Sequence, residues 1–312
     1  MNKPNGPRFG LSDVLMFVAV VMWGVNFSLV KIALREMTPD GFNGWRILFS
    51  AVCLLLLLAA SGEGFRLKRR EFWALLAIGF AGNTAYQAIF IHGVHGTSAS
   101  NTSLILSTSP IFVALLSVVL RLEKVHWAAW LGIGVSFSGL FLIISRQHGV
   151  VRPAGGALRG DMLVLLGTFL WAIYTVLAKP FLETMSPLKF SALTMAFGAF
   201  FYIPLTLKGM LAVSPAAVSW NARLALVLSG LFGLVFGYLI WYFSVQRVGN
   251  ARTAAYNYLT PIFTALFAAI LLGEALRPVQ AVGAAIILVG VWLTRSGYRV
   301  FVRAGGRAGA AD

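Results

Sequence analysis

The chain is poor in the residues on which most catalytic and metal chemistry depends. It has one cysteine, Cys53, and only 10 Asp and Glu residues against 25 Lys and Arg residues. A single cysteine excludes a disulfide framework and a thiolate metal site. His92 and His95 have the spacing of two ligands on one helix face, but no third ligand lies nearby in the sequence. Sequence patterns of nucleotide-binding loops, serine hydrolases and zinc peptidases are absent. We therefore expect no catalytic residue, cofactor or metal, and no enzymatic activity.

Charged residues are equally scarce, at 11% of the chain, whereas 59% of residues are hydrophobic. This composition excludes an ordinary water-soluble domain. Crossing a bilayer takes roughly 20 mostly apolar residues in a helix, because backbone groups in lipid must bond within their own segment. Ten stretches meet this requirement, at about residues 12–34, 42–61, 72–93, 98–120, 127–145, 160–179, 188–207, 222–245, 252–272 and 277–295. The sequence predicts an all-α polytopic membrane protein with ten transmembrane helices.

The same membrane unit occurs twice in the chain. Positions 148 residues apart match in the earlier part of the unit, as Trp23 and Trp171 do. Positions 151 apart match in the later part, as Pro110 and Pro261 do. Five helices per unit is an odd number, so the second unit enters the membrane from the opposite side and the repeats are inverted. We predict a first repeat at 1–145, a loop at 146–159, a second repeat at 160–295 and a disordered basic cytoplasmic tail at 296–312. Paired halves around a central cavity are typical of secondary transporters.

The net charge of +15 would indicate nucleic acid in a soluble protein. Here, Lys and Arg are more frequent in the segments that lie inside when both termini are cytoplasmic, as the positive-inside rule requires. The predicted partners are therefore the lipid bilayer and a small-molecule substrate, with no nucleic acid. A monomer is compatible with the sequence, which leaves the oligomeric state open.

Carboxylates are missing from the middle of every predicted span, where proton and sodium pumps generally carry an acid. Asp13 and Asp161 occupy equivalent positions at predicted helix starts, where a carboxylate caps free N–H groups. Glu123 and Glu274, also equivalent, lie at helix ends, where an ion-pair role at a boundary is expected. Lys31 and Lys179 each close a helix, where a cation complements the helix dipole. These placements favour structural roles over ion coupling.

Aromatic and amide residues recur at helical spacing within the spans. Amides at bilayer depth should face the bundle interior or a wet cavity, and aromatics around them suit a small amphiphilic ligand with a flat apolar part. The alternative is an ordinary bundle core with interhelical hydrogen bonds. Arg46 could hold a substrate carboxylate or anchor the helix at the interface. The candidate substrate-binding residues are Trp23, Asn26, Arg46, Asn83, Tyr86, Gln87, Asn101, Trp171, Tyr174, Tyr238, Trp241, Tyr256 and Asn257.

Pro110 and Pro261 interrupt two otherwise regular predicted helices at equivalent positions. Proline removes a backbone hydrogen bond and bends a helix. The pair therefore predicts two symmetric bends that act as alternate gates.

These features together resemble a known family. The pattern Pro-Ile-Phe-x-Ala-Leu with a Glu thirteen residues after the Pro, present twice, and the Trp in the first and sixth helices are similar to the EamA branch of the drug/metabolite transporter superfamily. The resemblance covers about residues 12–295. It implies a bacterial inner-membrane exporter with ten helices around a central cavity. The aromatic lining is similar to that of aromatic amino-acid exporters of the YddG type, and Arg46 matches an Arg common in such sequences.

The favoured function is export of neutral amphiphilic metabolites, in particular aromatic and other large neutral amino acids. Alternating access of the two repeats would carry it out without ATP. A broad drug or nucleoside exporter of the same fold is the alternative. An intramembrane enzyme is disfavoured because the sequence shows no group of acid, base, nucleophile or metal-binding residues that would come together in one site. A non-transporting scaffold is the third alternative, but it would leave the buried amides unexplained.

Overall fold

A computed structural model describes residues 10–120, 127–146, 156–214, 216–249, 253–274, 278–290 and 292–293. Within these ranges the secondary structure is helical, with no strand. The helices in chain order are α1 Leu11–Ala33, α2 Pro39–Ala60, α3 Arg69–Gly96, α4 Ala99–Leu106, α5 Ser109–Val119, α6 Trp127–Arg146, α7 Gly156–Leu182, α8 Pro187–Ala212, α9 Trp220–Val248, α10 Thr260–Leu272 and α11 Pro278–Gly290. Glu123, most of the loop predicted at 146–159 and the tail predicted at 296–312 lie outside the described residues.

Six of the described helices, α1, α2, α3, α7, α8 and α9, are long and apolar enough to cross a membrane. Their outward surfaces carry large apolar side chains, and Phe200, Leu205 and Leu211 of α8 are each more than 70% exposed. Such side chains suit lipid as the surrounding solvent. The chain is therefore an all-helical polytopic membrane protein.

Hydroxyl residues set the beginnings of four helices. The side chains of Thr38, Ser98, Ser186 and Ser219 each accept a hydrogen bond from a backbone amide three residues later, at 3.0–3.2 Å. Each bond satisfies one of the amides that a helix start leaves without a partner. Proline follows the cap at the start of α2 and α8, where its missing N–H costs nothing.

Both candidate gate prolines stand in the first turn of a helix and not inside one. Pro110 is the second residue of α5, and the preceding helix α4 ends at Leu106. Pro261 is the second residue of α10, which follows a short 3₁₀ helix at Ala255–Leu259. The predicted spans are thus interrupted just before each proline, by a turn at Ser107–Thr108 and by the 3₁₀ helix, and are not bent within one continuous helix; the first turn that follows needs no amide donor from proline. A gating role for the two prolines stays a prediction.

Two of the long helices contain a wider turn of π type at equivalent positions. It covers Phe80–Ala85 in α3 and Gly230–Phe236 in α9. A π turn adds one residue to the helix and rotates the part of the helix beyond it, and such turns are frequent at functional sites. Both turns face the middle of the bundle, because Asn83 and Gly233 within them are buried.

Glycines allow α6 and α11 to approach closely. A Cβ atom on Gly139 would lie 2.8 Å from the Gly283 carbonyl oxygen, and one on Gly290 would lie 2.4 Å from the Ser136 amide nitrogen and 2.5 Å from the Gly132 oxygen. Ser136 also donates to the Ile287 carbonyl at 3.3 Å. Small residues at such contacts permit close backbone packing in lipid, where helices lack a hydrophobic drive to associate.

Candidate functional site

A cavity lies among the middle parts of α1, α2, α3, α7 and α9, and the break between α4 and α5 closes one side. Its volume is only about 70 Å³, because the side chains that line it lie close together. This is well below the volume of typical small-molecule sites, so the cavity is narrow and nearly filled by its own side chains in this conformation. The described lining residues are Trp23, Asn26, Phe27, Arg46, Tyr86, Gln87, Phe90, Ser103, Leu106, Ser107, Ser109, Trp171, Gly233, Leu234, Tyr238, Asn257 and Thr260.

Aromatic rings form one wall of this cavity, with Trp23 and Trp171 in the lining and Trp241 packed behind them. The ring centroids of Trp23 and Trp241 are 5.5 Å apart, and those of Trp171 and Trp241 are 5.7 Å apart. Tyr86 and Tyr238 pack on Trp171 at 5.6 and 5.3 Å. The indole N–H of Trp23 donates to the Gly233 carbonyl in the π turn of α9, at 3.3 Å, which fixes the orientation of the ring. Flat, polarisable walls of this kind bind aromatic and other apolar groups.

The polar wall is a hydrogen-bonded chain centred on Arg46, which is only 2% exposed. Its Nη2 donates to the Gln87 side-chain oxygen at 2.8 Å, and its Nη1 donates to the Ser229 hydroxyl at 3.1 Å. Ser229 in turn donates to the Asn26 side-chain oxygen at 2.7 Å, and the Gln87 amide donates to the Tyr238 hydroxyl at 3.2 Å. The chain therefore ties α1, α2, α3 and α9 together around one guanidinium group.

Arg46 has no acidic partner among the described residues. Asp40, earlier in α2, instead lies 3.0 Å from the His92 ring nitrogen, and no carboxylate belongs to the described lining of the cavity. The Nε–H of Arg46 lacks a hydrogen-bond acceptor within the described ranges. A buried cation normally pairs with an anion because its desolvation is costly. The guanidinium is thus held in place by neutral groups and has capacity left for a negative charge.

Eight of the predicted binding residues line the cavity, namely Trp23, Asn26, Arg46, Tyr86, Gln87, Trp171, Tyr238 and Asn257. Asn83, Tyr174 and Trp241 lie just behind them. The Asn83 amide donates to the Tyr174 hydroxyl at 3.2 Å, and Trp241 packs between two other tryptophans. Asn101 and Tyr256 lie away from the cavity, near the two ends of the bundle.

Sequence reasoning missed two buried residues of the polar wall. Ser229 bridges Arg46 and Asn26, and Asn43 donates to the Tyr202 hydroxyl at 2.9 Å and to the Gln87 carbonyl at 3.4 Å. Asn43 precedes Arg46 by one helical turn, so its position on the same helix face was a usable signal. Ser229 offered none, because serine is common in transmembrane packing.

At one end of α1, Asp13 connects two helices that are distant in sequence. It accepts a hydrogen bond from the Gly10 amide at 2.8 Å, which confirms the predicted cap. It also accepts one from the Tyr256 hydroxyl at 2.5 Å. We refer to the Asp13–Tyr256 pair as the Asp13 contact.

Asp161 makes a corresponding connection at the opposite end of α1, where Lys31 donates to the His95 carbonyl at 3.3 Å. Asp161 is buried and accepts from the Thr97 hydroxyl at 2.6 Å, and we refer to this pair as the Asp161 contact. The predicted cap at Asp161 was wrong, because α7 begins earlier, at Gly156, so the carboxylate lies beyond the first turn.

A hydrogen-bonded chain of side chains continues from the Asp161 contact. Asn101 donates to Thr97 at 3.2 Å and accepts from Gln280 at 2.5 Å. The Glu274 carboxylate accepts from the Ala99 and Ser100 amides at 3.2 and 3.3 Å. Glu274 therefore caps the start of α4 from another part of the chain, and it also interacts electrostatically with Lys31 at the end of α1.

Outside the spans, Glu36 connects the α1–α2 loop to the start of α9. Its carboxylate accepts hydrogen bonds from the amide and the hydroxyl of Ser219, both at 2.7 Å. These bonds hold the pKa of Glu36 below its ordinary value, because they stabilise the charged form.

Known transporters are similar to this chain over most of its length. The sequence profile of the EamA-like transporter family matches residues 10–145 and again 158–296. An uncharacterized transporter of Archaeoglobus fulgidus is 29% identical over 91% of this chain and 96% of its own length. A "probable terminal-alkyne amino-acid exporter" of Streptantibioticus cattleyicolor is 28% identical over 89% of this chain and 91% of its own. A "probable amino-acid metabolite efflux pump" of Escherichia coli is 27% identical over 92% of this chain and 95% of its own.

A solved crystal structure of another protein has the same fold. The two superpose with a TM-score of 0.71, at 17% sequence identity, over 93% of this chain and 98% of the other. At that identity, the likeness concerns the path of the helices and not the chemistry of the cavity.

Proposed function

Because the chain belongs to the EamA-like transporter family, and is thus a membrane exporter and not an enzyme, we propose that it exports aromatic and other large neutral amino acids. The cavity of tryptophan and tyrosine rings around Arg46 carries this proposal. The cargo is a small molecule with a flat apolar part and a carboxylate, and it crosses the membrane without ATP.

The aromatic wall accounts for the apolar part of the cargo. Trp23 and Trp171 come from opposite repeats, and their ring centroids lie 6.5 Å apart at nearly a right angle. Edge-to-face contacts of this kind are the preferred geometry of aromatic clusters, and the ring of a cargo suits such a wall. Tyr86 and Tyr238 extend the wall.

The polar wall accounts for the carboxylate. A guanidinium group matches a carboxylate by paired N–H donors, and the match is stronger in a buried site. Asn26 and Gln87 hold the guanidinium through direct and serine-bridged bonds. The names of two relatives mention amino acids, which agrees with a cargo of this chemistry.

We further propose ten transmembrane helices in two inverted repeats, at 1–145 and 160–295. Several paired features support this architecture. The π turns of α3 and α9 lie 151 residues apart over most of their length, as the sequence repeats do. Gly139 approaches Gly283 while Gly290 approaches Gly132, which is the reciprocal contact expected beside a two-fold axis.

We also propose alternating access of the two repeats, which the two end contacts support. The Asp13 contact joins the first helix of one repeat to the second repeat, and the Asp161 contact joins the first helix of the second repeat to the first. Breaking one contact at a time would open the cavity to one side at a time, with Pro110 and Pro261 at the adjoining helix starts as bending points. With both termini cytoplasmic in a bacterial inner membrane, the Asp13 contact closes the inner side.

Flux into proteoliposomes tests this function. Purified protein should give saturable counterflow of labelled phenylalanine and tryptophan, with weaker counterflow of leucine and none of lysine or aspartate. Trp171→Ala should lower the flux, whereas the matched variant Trp220→Ala should not, because Trp220 is exposed on the outer surface. Flux of nucleosides or cationic drugs without flux of any amino acid would replace the proposal with the drug-exporter alternative.

A further inference from the structure

The charge of the cavity restricts the cargo more than its shape does. Arg46 is buried, its Nε–H is without an acceptor among the described residues, and its two bonded side-chain partners are neutral. The tyrosine hydroxyls of the described lining, those of Tyr86 and Tyr238, are neutral as well. Within the described ranges the lining therefore carries one positive charge and no negative charge.

A cargo with an ammonium group would find no matching negative group in the described part of this lining. The side-chain oxygens of Asn26 and Gln87 already accept hydrogen bonds from Ser229 and Arg46. The other side-chain acceptors of the described lining are neutral as well, among them Asn257 and the hydroxyl oxygens of serine and threonine. Aromatic faces attract ammonium groups, but the ring of the same cargo would compete for those faces. A zwitterion therefore leaves the occupied cavity with the net charge that it has when empty.

A cargo with a carboxylate alone changes this balance. Its negative charge offsets that of Arg46, so the occupied cavity is neutral when water is excluded around it. Desolvating a paired charge costs far less than desolvating a net charge. The narrowness of the cavity strengthens the effect, because little room remains for water to screen either group.

We propose that the preferred cargo of this cavity is an aromatic monoanion: a flat apolar group joined to a carboxylate, with the amine absent or acylated. This deepens the proposed function and rests on it, because the same cavity binds both forms. Arg46 is the residue that determines this specificity, and free aromatic amino acids are bound more weakly than their deaminated or N-acylated counterparts.

A series of ligands with one ring and different charges tests this inference. The series comprises 3-phenylpropanoate and N-acetylphenylalanine as monoanions, phenylalanine as the zwitterion, phenethylamine as the cation and 3-phenylpropanol as the neutral compound. Binding to purified protein in detergent is measured by quenching of tryptophan fluorescence and by thermal shift. Binding is preferred to flux here because protonated weak acids cross lipid unaided. We expect both monoanions to bind at least about tenfold more tightly than phenylalanine, and the amine and alcohol to bind weakest.

Two variants separate the role of charge from that of packing. Arg46→Gln should bind 3-phenylpropanoate no more tightly than 3-phenylpropanol, because the positive charge that pairs with the carboxylate is gone. Thr194→Val, at the repeat-equivalent buried position outside the cavity lining, should keep the preference for monoanions. If Arg46→Gln does not fold, the order of affinities in the unmodified protein still decides the question.

The outcomes distinguish this inference from the proposed function. Phenylalanine binding as tightly as the monoanions, or more tightly, overturns the inference and leaves the amino-acid exporter in place. Absence of binding by every aromatic carboxylate, zwitterion included, overturns both. Preference for monoanions that persists in Arg46→Gln overturns the assignment to Arg46.

Discussion

Arg46 in α2 and Thr194 in α8 occupy equivalent positions in the two repeats, 148 residues apart, and both are buried. Their surroundings differ. Thr194 has its hydroxyl satisfied by the Phe190 carbonyl at 2.8 Å and by Tyr174, whereas Arg46 keeps an N–H without an acceptor among the described residues. The packing contacts around them are nevertheless paired, since Gly82 approaches Tyr174 as its equivalent Gly233 approaches Asn26. The two repeats thus have equivalent close glycine contacts, but they place different side chains at the cavity.

The largest expected effect comes from disrupting a glycine contact that both repeats have, the close approach of α6 and α11. Gly290→Ala places a Cβ 2.4 Å from the Ser136 amide nitrogen, and this backbone atom cannot move aside cheaply. We expect a loss of about 1–3 kcal/mol of stability, visible as a lower unfolding temperature in detergent. Gly134→Ala on α6 is the control, because its Cβ meets nothing within 4 Å, and alanine favours a helix. Equal behaviour of the two variants would contradict the close approach of α6 and α11.

The next effect concerns chemistry that the two repeats share. Trp23 and Trp171 occupy equivalent positions in the two repeats. The Trp23 indole donates a hydrogen bond to the Gly233 carbonyl of the opposite repeat, and no corresponding bond of Trp171 is seen among the described residues. Trp171→Ala should weaken binding of an aromatic ligand about tenfold through lost stacking and burial. Trp23→Phe should keep most of the affinity but make the site less rigid, because the ring remains and the hydrogen bond is lost. Titration of tryptophan fluorescence, with Trp220→Ala as control, measures both; a larger loss in Trp23→Phe would reverse the assignment of roles.

A smaller effect distinguishes the two ends. Tyr256→Phe removes the Asp13 contact and Thr97→Val removes the Asp161 contact, each at a cost of about 1 kcal/mol, or roughly fivefold in the balance of conformations. In a Cys53→Ser background, Ser107→Cys in the cavity lining reports access to impermeant thiol reagents. Labelling should rise from one membrane face in the first variant and from the opposite face in the second. A rise from the same face in both would contradict alternate closure.

The smallest effect concerns a contact between the repeats outside the membrane. Glu36 of the first repeat supplies the carboxylate, and Ser219 of the second repeat supplies the two donors. The pKa of Glu36 is lowered in the folded protein by the two hydrogen bonds from Ser219. Such a group adds stability above the unfolded pKa of about 4.3 and loses it as pH falls through the folded value. The unfolding temperature should therefore drop slightly more between pH 6 and pH 3 in the unmodified protein than in Glu36→Gln. An identical drop in both would show that the Ser219 bonds do not stabilise the fold.

The sequence predicted helix positions well where local chemistry decides them. Thr38–Pro39 and Ser186–Pro187 mark the starts of α2 and α8, because a hydroxyl cap followed by proline satisfies a helix start and little else. Trp23 was named as a cavity candidate from its position within an apolar run. Arg46 was left open between a cavity residue and an interface anchor, and its burial in the cavity lining favours the first.

Other features depended on contacts that a sequence does not display. The π turns differ from an α-helix only in hydrogen-bond register, and the apolar and glycine residues in them are compatible with both. Asp161 looked like a cap because the apolar run begins beside it, whereas the helix extends back to Gly156 through residues of mixed character. Ser229 became visible only when α9 was placed against α2 and α1.

By selecting a negatively charged cargo, Arg46 also makes transport sensitive to the membrane potential. An aromatic monoanion leaving a cell with a negative interior moves one elementary charge in the direction that the membrane potential favours. At 100 mV this is worth about 2.3 kcal/mol, enough to hold an outward concentration ratio of about fiftyfold. Export of such a cargo therefore needs no proton or sodium ion to drive it, which agrees with a described cavity lining that contains Arg46 and no carboxylate.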